Sequence, residues 1–524
     1  MPWTGHWYIT FRNHALRLVK RLWPGSMRSA QSNLPPVYLY RYRPAKAVLD
    51  GFEELEKQEI YFSTTEELND PMEGFKDLFW SGDEIVWRSL LKHYVFCLLD
   101  TTYHAFIMGT EFNPKHVEGV ALASPDSLPD APIKDIYKRL AEDFLKDPAI
   151  VAFLEAVSSR KEPVRRNELM GYLRALHPLI MTPIFNDLHS RGLWLGFVPP
   201  PDDQAETLRQ NAIKLIKTMT KLPAKKKFRK RFSDAVFATA EAMYEQLQLI
   251  AEANMPARDK KAPIIFLSGD FPRAYLAALD KLVHSDWYVA CFTNRPDNHS
   301  MWSTYADGHR GVCLMFKTPP NIAGESTLTL NRKTGMGGSR DGPTTYSFSF
   351  VPHETNPVRY STDYPAIDFF RSLGRIRQMD MNNFWYRGDN GKFSVCKDAV
   401  YEDEEAWRKS YWQTFGSSTL YKTPEWSHEE EYRVVVHSFF DLSKKEDRKL
   451  RYKFEDLAGI VFGARATTET KLKIMHIINK KCGEVGRNDF KFFEVRYAPD
   501  TSFKVHELSL LKIQHPVPPS EIAR

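Results

Sequence analysis

From about residue 76 to residue 285 the apolar positions recur almost entirely with helical spacing, and no convincing alternating run interrupts them. Segments 132–157, 167–181, 205–219 and 232–254 carry this period. Strand-like runs lie on both sides. Before the helical stretch come Val37-Tyr38-Leu39-Tyr40-Arg41-Tyr42 and Ile60-Tyr61-Phe62-Ser63, with helical spacing between them at Val48, Leu49, Phe52 and Leu55. After it come Trp287 to Phe292, Gly311 to Phe316, and 345–351, 356–360, 431–437, 459–462 and 490–497, with helical periods at 403–422 and 467–481. The glycine-rich residues 335–343 predict a flexible loop. Such a chain is expected to form an α+β protein, a mixed or antiparallel sheet core interrupted by a large helical insertion. The implied division is a basic extension at 1–36, core at 37–75, insertion at 76–285, core again at 286–510 and a tail at 511–524.

Composition narrows the class. With 43% apolar and 26% charged residues, 5 Cys, and Gly and Pro in no period, the 524-residue chain is neither collagen-like, nor a disulfide scaffold, nor wholly disordered. Cys97, Cys291, Cys313, Cys396 and Cys482 have no zinc-ligand spacing and are expected as reduced, buried thiols. The net charge of +6 is too slight for a nucleic-acid coat, so any basic partner surface must be local. One is the leader, where Arg12, Arg17, Lys20, Arg21 and Arg28 occur without an acidic residue and Leu16, Val19, Leu22 and Trp23 fit one helical face. It suits a membrane surface, a nucleic acid, or docking on its own domain. The other is Lys221 to Arg231, where Lys225 to Arg231 offers a nucleic-acid contact or, alternatively, a solvated interhelical loop. No run of eighteen apolar residues and no secretory leader is present, so no transmembrane segment and a cytoplasmic location are expected.

Four fragments carry a resemblance. They are Leu39-Tyr-Arg41-Tyr-Arg43-Pro44; Ile60-Tyr-Phe-Ser63 leading into Leu68-Asn69-Asp70-Pro71-Met-Glu73; Cys291-Phe292 with Met301-Trp302-Ser-Thr-Tyr305-Ala-Asp-Gly-His309-Arg-Gly311; and Lys422-Thr-Pro-Glu-Trp426-Ser-His-Glu429-Glu430-Glu431-Tyr432-Arg433 followed by Gly459 to Gly463. In this order they resemble the bacterial family catalogued as domain of unknown function 2971, often found near genome-defence genes. The resemblance covers about 37–75 and 286–510.

The order of an Arg on a first strand, a Ser-Thr pair after a second and a Glu-x-Glu before a late strand is also similar to the signature of ADP-ribosyltransferases. That resemblance implies NAD as substrate and a protein or nucleic-acid acceptor. Arg41 would bind its phosphates, Ser63 and Thr64 would support the pocket, and Glu431 would hold the nicotinamide ribose. A toxin or phage-defence effector is the implied setting.

The residue types suit the chemistry. A guanidinium anchors pyrophosphate bidentately, and a carboxylate stabilises the cation that develops as the nicotinamide bond breaks. Alternation places Glu429 and Glu431 on one face of a strand or its lead-in, so one can hold the ribose while the other orients an acceptor. Tyr61 on strand two, and Asn69, Asp70 and Glu73 on the loop after it, would add polar recognition. Asn69 or Asp70 equally suits a cap for a helix starting near residue 71. Met301-Trp302-x-x-Tyr305 is either a packing unit or an aromatic wall for the ligand, with Tyr305 and His309 as polar handles.

Two other classes stay open. Asp70, Glu73, Glu429 and Glu431 could assemble a metal-dependent nuclease, although no metal ligands are assigned. A non-enzymatic sensor or interaction module would leave the carboxylates structural. No Walker-type loop or Gly-x-Ser-x-Gly elbow is present, and Gly335 to Gly338 lacks the strand-before, helix-after context of a phosphate loop.

Overall fold

The computed structural model describes residues 36–193, 201–220, 226–256, 262–322, 324–338, 344–438, 440–499 and 502–511. The leader, apart from Pro36, lies outside them, as do 221–225 and the side chains of 226–233 in the basic stretch.

The strands of the first half are β1 (Tyr38–Arg43), β2 (Glu59–Tyr61), β3 (Asp77–Trp80), β4 (Val164–Arg165), β5 (Trp287–Thr293), β6 (Val312–Lys317), β7 (Thr327–Gly337) and β8 (Thr345–Pro357). Those that follow are β9 (Arg359–Tyr360), β10 (Ala366–Asp368), β11 (Tyr421–Lys422), β12 (Glu431–His437), β13 (Lys449–Tyr452), β14 (Leu457–Phe462), β15 (Lys491–Tyr497) and β16 (Phe503–Glu507). Eleven form one mixed sheet in the order β16-β15-β14-β6-β1-β5-β12-β8-β7-β13-β2, in which β14 and β15 are parallel and the other pairs antiparallel. The fold is therefore α+β around a large mixed sheet.

Each strand shows why it sits where it does. All six residues of Leu457-Ala-Gly-Ile-Val-Phe462 are buried, the pattern of a strand covered on both faces. The helix Thr468–Val485 packs Ile474, Ile478 and Cys482 into the same core cluster. On β1 the alternation sends Leu39 into that cluster and Tyr42 to the opposite face, where its ring meets Trp302 edge-on at 4.9 Å.

The weakest seam of the sheet is central. β1 pairs with β6 over six residues but with β5 only at Tyr40 and Thr293, so the sheet opens beyond that pair. The candidate site lies in this opening.

The helical stretch has its own core. Helix Glu84–Met108 buries residues all round its circumference, as a central helix must, and Asp83 caps its start by accepting from the amides of Ile85 and Val86. The expected helix at 132–157 is two, Ala131–Lys146 and Pro148–Ser158, because Asp147 caps the second and Pro148 opens it. The helical core also takes Phe369, Phe370, Trp385 and Tyr386 from beyond the strands that follow the insertion.

Several expectations are corrected. The stretch 76–285 holds the short strands β3 and β4, which are too brief to show alternation. Gly335 to Gly337 is not loop but the end of β7, paired with Ser347, Tyr346 and Thr345, while 339–343 lie outside the described residues. That glycine stretch does follow a strand, yet it leads to a hairpin partner rather than a helix. Residues 71–74 form a turn and not a helix start. All five cysteines are free; Cys97, Cys313, Cys396 and Cys482 are buried and Cys291 is half-buried.

Candidate functional site

Where β1 and β5 part, a cavity of about 300 Å³ opens. Its walls include Tyr40 and Arg41 of β1, Ser63 and Asn69 after β2, Tyr305, and Lys422, Glu429 and Glu431. These residues come from four separated stretches of chain.

Arg41 reaches across the gap in place of main-chain pairing. Its Nη1 donates to the carbonyl of Cys291 at 3.3 Å and its Nη2 to that of Tyr61 at 3.0 Å, while Nε is buried without a partner. No carboxylate lies within ion-pair distance of it among the described residues. Burial lowers its pKa to about 10, so it remains charged at neutral pH. A buried, carbonyl-held guanidinium lacking a counter-ion is a site for an incoming anion.

Facing it is a continuous chain of donors and acceptors. Asn69 Nδ2 donates to the Tyr305 hydroxyl at 3.1 Å, and that hydroxyl donates to Glu429 Oε1 at 2.6 Å. Lys422 Nζ donates to Glu429 Oε2 at 2.6 Å and to Glu431 Oε2 at 3.1 Å. Arg433 Nε donates to Glu431 Oε1 at 2.7 Å, and its Nη2 to Glu73. Glu429, Glu431, Lys422 and Arg433 are all buried, and Glu73 Oε2 is buried without a hydrogen-bond partner. Three carboxylates thus meet two cations.

Burial and neighbouring charge together set the protonation of each. Burial alone would raise Glu431, but Arg433 and then Lys422 outweigh it and hold the carboxyl well below its ordinary range. Glu73 moves the other way, pushed up by burial against the pull of Arg433. Burial works against the charge of Lys422, yet Glu431 and Glu429 hold its pKa above the ordinary value. Burial and the neighbouring Glu429 likewise push the Tyr305 phenol up, so it stays a donor. Glu431 Oε2 accepts from both Lys422 Nζ at 3.1 Å and Arg433 Nη2 at 3.4 Å, so its lone pairs are taken, while Oε1 accepts from Arg433 Nε.

The two central glutamates do not meet by strand alternation. Glu429 ends the 3₁₀ turn Pro424–Glu429 and Glu431 starts β12, while Glu430 between them has φ of 46°. This left-handed residue, strained for a non-glycine, turns the chain so that both neighbours face Lys422 and Glu430 itself pairs outward with Arg295 at 2.8 Å. Strand β11 brings Lys422 under them, and β9 beside it supplies Tyr360, whose hydroxyl accepts the Glu431 amide at 2.8 Å.

The remaining expected residues divide. Ser63 bridges to Val289 through both backbone groups, with its side chain on the cavity wall. Thr64 instead heads a capping box with Glu67. Tyr61 donates to Glu67 and lines an adjoining cavity of about 200 Å³. Asp70 is buried and accepts the amide of Met72 at 2.9 Å, so it shapes the turn that aims Glu73. Trp302 is fully buried against Tyr42 and donates to the Pro296 carbonyl; it is a core anchor and does not line the cavity. His309 packs against Phe503 away from it.

Sequence reading passed over Lys422 and Arg433, although both stand in the quoted fragments and Arg433 follows Glu431 by two residues, hence on the same strand face. Among the described residues no group of three His, Cys, Asp or Glu side chains is arranged to hold a metal ion, because Glu73, Glu429 and Glu431 are already engaged by Lys422 and Arg433. No described helix is long and apolar enough to cross a membrane.

Fold and site together define a split-sheet α+β protein with a charged, ligand-sized cleft at the seam. The model of the family described as Protein of unknown function (DUF2971) matches residues 301–434, which run from the helix bearing Tyr305 to the strand bearing Glu431 and Arg433, and it supports that family for this part of the chain. No curated protein and no solved structure matches the chain.

Proposed function

We propose that the cleft binds NAD and transfers its ADP-ribose to a macromolecule. One observation carries the reading: Arg41, a buried guanidinium without a counter-ion, shares a cavity with Glu431, a carboxylate kept ionised by its neighbours. NAD presents a pyrophosphate for the first and a ribose that becomes cationic for the second. The cavity is at the lower end of the range for small-molecule sites and suits the half of the substrate around the scissile bond.

In the reaction the C1′–N bond breaks, nicotinamide leaves with the bonding electrons, and an acceptor oxygen or nitrogen forms the new bond to C1′. Glu431 offers Oε1 to a ribose hydroxyl and its charge to the developing cation. Glu429, fixed by Tyr305 and Lys422, accepts the proton released by the acceptor. The buried network holds both carboxylates in place without reorganisation. As a toxin or defence effector, such an enzyme slows the growth of a cell that expresses it.

The test is to incubate the full chain with adenylate-labelled NAD and a cell lysate, following nicotinamide release and label on macromolecules. Release with labelling supports the proposal. Release without labelling replaces transfer by NAD hydrolysis, and neither signal from a folded sample removes the reading.

A further inference from the structure

A second concave site lies further along the same sheet face. Alternation on β12 places Val435 and His437 on the side that carries Glu431 and Arg433, and both line a groove of about 810 Å³ between β8 and helix Glu404–Ser418. Arg433 joins the two sites, since its Nη1 donates at 2.9 Å to the carbonyl of Thr419, a wall of the groove.

The groove has three features of a nucleotide-binding surface. Arg332 and Arg359 line it, and neither guanidinium is hydrogen-bonded or ion-paired to another described residue. Trp412 is 48% exposed and stacks on His437, with centroids 5.5 Å apart and planes at 27°, which leaves an aromatic platform at the rim. His353 is 8% exposed; its Nδ1 donates to the Val351 carbonyl at 2.8 Å, so Nε2 is an acceptor, and it is buried with no partner. An acidic peptide would satisfy the arginines but would leave the aromatic platform unused.

We propose that this groove binds single-stranded nucleic acid, with Arg332 and Arg359 on phosphates, one base stacked on Trp412 and a base N–H donated to His353. Its place beside the cleft makes the bound strand the ADP-ribose acceptor, a role that rests on the transferase reading; the binding itself does not.

The experiment is fluorescence anisotropy of labelled ten-residue DNA and RNA single strands with the full chain, Trp412→Ala, and the double variant Arg332→Gln/Arg359→Gln, each checked by circular dichroism. Trp412→Ala should weaken binding roughly 5- to 150-fold. The double variant should reduce the salt dependence by about 1.4 in log–log slope. A duplex of the same sequence should bind less well, because its bases are already stacked. Lack of binding by the native chain, or affinities unchanged in both folded variants, would overturn the proposal. So would capture of a protein in place of the oligonucleotide by a photo-crosslinker at Gln413. NAD turnover is measured separately on the same samples: its absence removes the transferase reading while anisotropy still decides the groove.

Discussion

Arg433 and Glu73, 360 residues apart in the chain, are joined by a hydrogen bond from Nη2 to a carboxylate oxygen. The pair ties the loop after β2 to the start of β12, and both partners are almost completely buried. Lys422 and Glu431 complete the knot, so the site is also the place where the two distant parts of the core are locked together.

Breaking this knot should cost stability. Replacing Arg433 by Met leaves Glu73 and Glu431 short of a buried counter-ion, a loss expected to be about 3–5 kcal/mol in chemical unfolding. A change below about 1 kcal/mol would show that the network is not a cross-brace.

Glu431→Gln keeps the shape and removes the charge, so it lowers stability as well, and turnover is compared on samples shown to be folded. Nicotinamide release should fall by roughly 10²- to 10³-fold or more with the circular dichroism spectrum unchanged. Retained turnover in the folded variant would remove Glu431 from the mechanism.

Arg41→Gln should raise the KM for NAD by roughly 10- to 150-fold, the range of a lost hydrogen bond to a charged group. Because Arg41 also holds the carbonyls of Tyr61 and Cys291, a modest loss of stability should accompany it. Unaltered KM would place the pyrophosphate elsewhere.

Acid stability carries the signature of Glu431. Its pKa is lowered from the ordinary 4.5 to about 2 in the folded chain, burial being outweighed by Arg433 and Lys422. The stabilisation it supplies is therefore complete above pH 4.5 and is lost as pH falls through the folded value. Glu73 is raised and acts in the opposite sense, so the comparison is with Glu431→Gln, whose acid limb should be shallower in unfolding curves taken between pH 5 and pH 2. Parallel limbs would contradict the assignment.

Gly311→Ala tests how the seam is held. A Cβ there would sit 2.2 Å from the Arg43 carbonyl, a backbone atom that cannot move without shifting β1. The expected loss is about 1–3 kcal/mol by thermal or chemical unfolding, together with weaker NAD binding as Arg41 is displaced. Full stability would mean that the β1 and β6 ends have room to part.

Periodicity by itself determined the main elements. The run Trp287 to Phe292 and the run from 431 to 437 show up as β5 and β12 because alternating or continuous apolar residues report burial locally. The same holds for helix Thr468–Val485, whose apolar stripe is a property of its own residues. Short pieces such as β3 and β4 escaped, since strands of four and two residues hold too little pattern and exist only through partners supplied by the fold. Arg41, Ser63, Asn69, Tyr305, Glu429 and Glu431 were legible as chemistry-bearing types, but their meeting in one cavity was not. That meeting depends on a sheet seam paired at a single residue, on the left-handed turn at Glu430, and on Lys422 and Arg433 compensating buried charge. Long-range pairing and electrostatics depend on which groups the folded chain brings within a few ångströms, and no local run of residues encodes that.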